Sequence, residues 1–285
     1  RSNLPSNIQA PQRPPAVTQV TAVEQARAIA EVQAAVVVAQ QCPRNRQAAL
    51  EEMRESCRNL RLAERAFYSV PNRGSGPSVH LARELARIFG NIQYGVHELH
   101  RDDKAGSSEV QAFAWDVQTN TRSTRTFQVP HERMVKKERV RLTDLGDVYL
   151  NNQNVGARAV RECIFTVLPP WFVDEATDIC RATLKDGGGK PLAHRVAAAV
   201  EGFAALGVSV EQLERRRGKT ASRWTEYDVA DLGVLWRSID RGETTVGEEF
   251  EASPVGVSVG DLRGAGVGDL PVAGRGKRAP KEPVA

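Results

Sequence analysis

The chain has 285 residues, 41% of them hydrophobic and 26% charged, with 39 Lys and Arg against 35 Asp and Glu. That length suits one large domain or about two, and the composition suits a soluble protein with a folded core. The longest wholly apolar run, Ala34 to Ala39, has six residues, against the roughly 20 that a membrane helix needs, and no secretory signal is evident.

Residues 1–20 are rich in Pro, Gln, Asn and Ser without a period, and read as a flexible arm. Thr21 to Gln40 has helical spacing, with Val23, Ala26, Ile29 and Ala30 on one face, and Pro43 breaks it. A second helix is predicted from about Arg46 to Phe67, with Leu50, Met53, Cys57 and Leu60 as its stripe. Pro71 to Pro77 reads as a turn-rich loop. Ser78 then caps a helix whose buried stripe is Leu81, Leu85, Ile88 and Phe89, and Gly90-Asn91 stops it.

The period now changes from 3.6 to 2. Ile92–Leu99, Val110–Val117 and Arg122–Val129 alternate, and their connections are short and carry Gly106 and Asn120. Short connections imply antiparallel neighbours, so a three-stranded meander is predicted. Helix returns after Asp144, with Ala157–Leu168 strongly periodic, and Trp171–Leu184 is another helix. Gly187 to Gly189 reads as a hinge, and Pro191 to Arg241 as about three helices with a capping box at Thr225 and Asp228. The predicted fold class is α+β: an antiparallel meander packed on helices, then a small helical domain. The expected divisions are a flexible arm (1–20), a core (21–186), a helical C-terminal domain (187–242) and a disordered tail (243–285).

Charge is concentrated. Between Arg122 and Arg141 lie Arg122, Arg125, Arg133, Lys136, Lys137, Arg139 and Arg141, against Glu132 and Glu138. This segment carries the whole positive surplus of the chain, as an anion-binding surface would. A solvated basic strand and loop would look the same. Arg158 and Arg161, three apart on a helix, share a face and could extend the surface. Tyr94 or Trp115 could stack on a base, although core packing is the commoner use of such a Trp.

Catalytic patterns are missing. Gly218-Lys219-Thr220 supplies only the end of a phosphate-binding loop: the first glycine of GxxxxGK[ST] falls on Leu213, with no buried strand before it. Gly187-Gly188-Gly189-Lys190 runs into Pro191. Asp102, Asp103, Glu109 and Asp116 could gather a nuclease metal, but two of them sit in a polar turn and one precedes another. His80, His97, His100, His131 and His194 lack metal-ligand spacing, and no GxSxG nucleophile turn exists. Cys42, Cys57, Cys163 and Cys180 form neither a CxxC pair nor a Cys/His cluster, which speaks against zinc and for a reducing compartment. No catalytic residue, metal or cofactor is expected.

Three stretches carry a resemblance: Gly90-Asn-Ile-Gln-Tyr-Gly95, Gln111-Ala-Phe-Ala-Trp-Asp116 running on to Thr126-Phe-Gln-Val-Pro-His131, and ARAVRECIFTVLPPWFVDEA from Ala157 to Ala176. Over roughly residues 75–185 the chain resembles phage single-strand annealing proteins of the RecT, Erf and Red-beta class. The resemblance implies ATP-independent binding of single-stranded DNA and annealing to duplex, homo-oligomeric rings or helical filaments, and the cytoplasm of a bacterial host. It implies a groove holding DNA by its backbone, placed here on the third strand, the following basic segment, Arg158 and Arg161. Residues 187–242 are similar in layout to domains that contact a host single-strand binding protein or a phage exonuclease. The competing readings are a non-enzymatic DNA-binding regulator and a metal-dependent nuclease. The regulator would want a basic recognition helix, whereas the surplus sits on strand and loop.

Overall fold

Asn45, Ser78, Asp144 and Thr225 each stand one residue ahead of a helix, and each side-chain oxygen accepts from amides of the first turn. These caps satisfy donors that a helix start leaves unpaired, typically worth about 1 kcal/mol each. The computed structural model describes residues 19–70, 74–135 and 138–250. In chain order the helices and strands are α1 (Gln19–Gln41), α2 (Arg46–Arg58), α3 (Leu60–Ala63), β1 (Phe67–Val70), β2 (Gly74–Pro77), α4 (Val79–Phe89), β3 (Ile92–Asp102), β4 (Ser107–Asp116), β5 (Thr121–Pro130), β6 (Glu132–Val135), β7 (Glu138–Arg141), α5 (Leu145–Val167), α6 (Pro170–Asp186), α7 (Leu192–Ala204), α8 (Val210–Arg217), α9 (Glu226–Asp240) and α10 (Val246–Glu249).

The architecture is mixed α+β around the antiparallel sheet β3-β4-β5. Its tight turns sit where Gly106 and Asn120 were expected to place them. Along β4 the side chains alternate: Ser108, Val110, Ala112, Ala114 and Asp116 are buried, while Glu109, Gln111, Phe113 and Trp115 are half-buried. Helix α5 packs across the buried side. The small side chains of Ala112 and Ala114 let it lie close. At Gly156 of α5 an added Cβ would fall 2.8 Å from both γ-carbons of Val96, so only hydrogen fits there. Behind α5, helices α2, α4 and α6 close a core in which Met53, Leu81, Leu85, Ile164 and Phe172 are fully buried. Truncating such a leucine to Ala typically costs about 2–5 kcal/mol.

Several expectations change. The helix predicted to reach Phe67 ends at Arg58. Asn59 is extended there and its side chain caps the short α3. Phe67–Val70 then pairs with Gly74–Pro77, so half of the expected loop is a strand. The basic segment after β5 is the hairpin β6–β7. Helix α5 begins at Leu145 under the Asp144 cap, where the helix was expected to return. Residues 243–250 of the predicted tail are ordered, and Phe250 is buried in a second core with Phe203, Leu213, Trp224 and Leu232. Residues 251–285 and the arm before Gln19 lie outside the described residues.

The Gly187–Gly189 run forms a single 3-10 turn. Beside it the Arg195 guanidinium donates to the carbonyls of Leu184 (2.7 Å) and Lys185 (2.6 Å). Helix α9 is also tied to the first core. The Ser69 amide donates to Ser238 Oγ (3.0 Å), Arg241 donates to the Phe67 carbonyl (2.9 Å), and Arg237 pairs with Glu64. No described helix is long and apolar enough to cross a membrane.

Candidate nucleic-acid interface

Strand register sets out the sheet face that α5 does not cover. Trp115 lies between Gln93 and Arg122, Phe113 between Gly95 and Thr124, and Gln111 between His97 and Thr126. Gln93, His97, Arg122, Thr124, Thr126 and Gln128 are exposed. The His97 and Phe113 rings stack with centroids 4.9 Å apart and planes 1° from parallel. Gly95 permits this, because a Cβ there would lie 3.0 Å from the Phe113 ring. The Arg122 guanidinium sits 6.0 Å from the same ring centroid. Trp115 keeps its indole N–H on Asn120 Oδ1 (3.2 Å), and Gln111 donates to Thr126 Oγ1 (3.3 Å). The face therefore offers two π-surfaces, a cation, and rows of hydroxyls and amides. Such surfaces hold single strands by stacking on base faces, at about 1–3 kcal/mol per base, and by contacting phosphates.

The predicted site residues do not all meet. Trp115 and Arg122 share the open face. Tyr94 and Arg125 alternate to the helix side of the sheet, both exposed. Arg133, Arg139 and Arg141 are exposed on the hairpin β6–β7. Register puts Arg139 and Arg141 on one side of the hairpin and Arg133 on the other. Arg139 is 3.8 Å from Glu132, and Arg141 donates to the Asp103 carbonyl (3.2 Å). Lys136 and Lys137 lie outside the described residues. Arg158 is exposed on α5, away from the line Asn152, Gly156, Val160 and Cys163 that faces inward. Arg161 is engaged elsewhere: it donates twice to Glu162 (3.0 and 2.7 Å) and stacks 4.5 Å over Tyr68.

Lys219, Asp228, Asp102, Asp103 and Asp116 make structural contacts. Lys219 Nζ, the end of the loop-like string, lies 2.6 Å from Asp228. Burial pushes the Asp228 carboxyl up, but hydrogen bonds from Lys219, Thr225 and Arg217 outweigh it and hold the group below the usual carboxylate range. Asp102 caps the β3–β4 turn through the amides of Lys104 and Ala105 (both 2.9 Å), Asp103 pairs with Arg101 (2.7 Å), and Asp116 pairs with Arg44. Among the described residues no group of three or more His, Cys, Asp or Glu is gathered to hold a metal.

One constellation was not foreseen. Ser108 Oγ lies 2.9 Å from His131 Nε2, and His131 Nδ1 lies 3.9 Å from Asp103. The order resembles an acyl-transfer triad. Ser108, however, is fully buried and donates to Glu98 (2.8 Å), so its oxygen accepts from the imidazole rather than losing a proton to it. The His131 amide meanwhile donates to the Gly106 carbonyl (2.8 Å), and the network fastens β6 to the β3–β4 turn. No family model, curated protein or solved structure matches the chain.

Proposed function

We propose that the chain binds single-stranded DNA and anneals complementary strands without ATP. The observation that carries this is the open sheet face with the His97–Phe113 stack beside Arg122. Stacking covers the face of a base and leaves its hydrogen-bonding edge free, which is what pairing with a second strand requires. Phosphates are then held by Arg122 and by the basic hairpin, without preference for sequence. The exposed Val23, Ile29, Val32, Val37 and Val38 of helix α1 support assembly into homo-oligomers. Contacts with a host single-strand binding protein or a phage exonuclease through 187–242 belong to the same proposal.

The test is a mixing assay with two complementary oligonucleotides, one labelled with a fluorophore and one with a quencher, in buffer free of nucleotide and divalent ions. Quenching should accelerate with the protein, and Phe113→Ala with Arg122→Ala should reduce the acceleration while the thermal melt is kept. No acceleration at any protein concentration, or acceleration only with ATP, would refute the proposal.

A further inference from the structure

On the helix side of edge strand β3, opposite the open face, a cavity of about 590 Å³ lies between α3, α4 and Tyr94. Arg61, Arg65, Arg83 and Arg87 line it, together with His80 and a single carboxylate, Glu84. Arg87 is neutralised, by Glu52 and Glu84, both at 2.8 Å. Arg61, Arg65 and Arg83 have no carboxylate partner among the described residues. Three unpaired guanidinium groups brought together around one cavity repel one another, and a bound anion relieves that repulsion.

The field of this cluster is visible in its histidine. Burial, and then the charges of Arg65, Arg241 and Arg83, push His80 down to about 4. The ring is thus neutral at physiological pH, and its Nδ1 accepts from Arg65 (3.2 Å). That leaves the ring proton on Nε2, a further donor. Tyr94, 37% exposed, adds an aromatic ring to the cavity. A cavity of this volume is of the size that takes a small organic ligand.

We propose that this pocket binds a nucleotide through its phosphate, with Arg65 and Arg83 as the principal phosphate ligands and Tyr94 as the platform for the base. Fork-shaped guanidinium groups suit phosphate oxygens, and a neutral imidazole N–H adds to them without a further charge. The chemistry is that of a nucleoside monophosphate, which could be free or could be the phosphorylated end of a DNA strand. The pocket lies apart from the open sheet face, so the proposal stands or falls separately from the annealing reading.

The experiment uses the full chain. Calorimetric titration with deoxyadenosine monophosphate is compared with deoxyadenosine. The monophosphate should bind at least about tenfold more tightly, since a charge-assisted hydrogen bond is worth roughly that factor or more. Equal affinities, or no binding of either at millimolar concentration, would overturn the proposal in the wild-type protein alone. The double variant Arg65→Gln with Arg83→Gln should abolish the preference. An unchanged preference in a variant with an unaltered melting curve would also overturn it. Tyr94→Ala should weaken the monophosphate about tenfold and leave inorganic pyrophosphate unaffected; equal loss of both would remove the base from the pocket and overturn that part. Oligonucleotides with a 5′-phosphate and a 5′-hydroxyl distinguish the sources: preference for the phosphorylated strand assigns the pocket to strand ends, and equal binding assigns it to the free nucleotide.

Discussion

Arg44 and Asp116, 72 residues apart, form an ion pair whose side chains are 5% and 3% exposed. Asp116 also accepts from the amides of Gln118 (3.1 Å) and Thr119 (3.3 Å), which closes the β4–β5 turn. Arg44 lies 4.2 Å over the Phe89 ring, and its amide donates to Gln118 Oε1 (2.9 Å). The linker between α1 and α2 is thereby fixed to the sheet and to the end of α4. Removing one member of such a pair leaves the other charged and buried, at a cost of about 3–5 kcal/mol. Arg44→Ala should lower unfolding free energy in urea by that much. A loss under about 1 kcal/mol would place the pair in the weak, solvated class.

The stacked face makes a paired prediction. Gly95→Val adds atoms where a Cβ alone already lies 3.0 Å from the Phe113 ring, so the ring must turn away. Its effect on single-strand affinity should match that of Phe113→Ala, roughly 1–3 kcal/mol. Fluorescence anisotropy with a labelled oligonucleotide measures both. A Gly95→Val protein that binds as wild type would mean that bases do not stack on Phe113.

Salt dependence separates phosphate contacts from solvated charges on the basic hairpin. Each lost contact should reduce the single-strand salt slope by about 0.7, so Arg133→Ala with Lys136→Ala and Lys137→Ala should reduce it by up to about 2. The fold should persist, because Arg133 is exposed and an exposed charge typically contributes less than about 1 kcal/mol. A folded triple variant with the wild-type slope would move the backbone contacts off the hairpin.

Acid should act through His80. Its folded pKa of about 4 lies below the ordinary value of 6.5, so between those values the unfolded chain binds a proton that the folded chain refuses. Stability should therefore fall as pH drops from 6.5 to 4 and level off below. Arg65, Arg83 and Arg241 act on the ring directly, while Arg61, Arg87 and Glu84 line the same cavity. Denaturation at a series of pH values, wild type against His80→Gln, should show a loss in the wild type that the variant lacks. An imidazole resonance titrating near 6.5 would contradict it.

Helix α1 leaves Val23, Ile29, Val32, Val37 and Val38 between 47% and 59% exposed. The proposed homo-oligomer would cover these side chains. Light scattering should give a mass well above that of one chain, and deletion of residues 19–41 should lower it. A monomeric mass for the full chain, with and without DNA, would contradict assembly.

What the sequence discloses follows from what is local. Caps at Ser78 and Thr225, the stop at Gly90 and the meander turns each depend on a few neighbouring residues, and all were legible. Strand β1 was not, because its partner reads Gly-Ser-Gly-Pro and its Ser69 amide is satisfied by Ser238, 169 residues away. The hairpin β6–β7 hid because charges occupy most of its positions. Alternation places Phe113 and Trp115 on one side of β4, yet which side the helix takes is decided by Ala112 and Ala114, whose small size matters only once a helix lies against them. The arginine pocket had a faint trace in the i, i+4 pairs Arg61/Arg65 and Arg83/Arg87, but only packing makes the two pairs face one cavity.

The close approach at Gly156 reaches beyond this one chain. A methyl group at 156 cannot coexist with the branched side chain at 96, so a change at either position is conditional on the other. In any related protein that keeps the helix seated this deeply on the sheet, the two positions should vary together: glycine with valine, or a larger residue at 156 with glycine or alanine at 96. A set of relatives breaking that rule would have to lift the helix, and with it the small-residue seam of β4 would lose its reason to stay small.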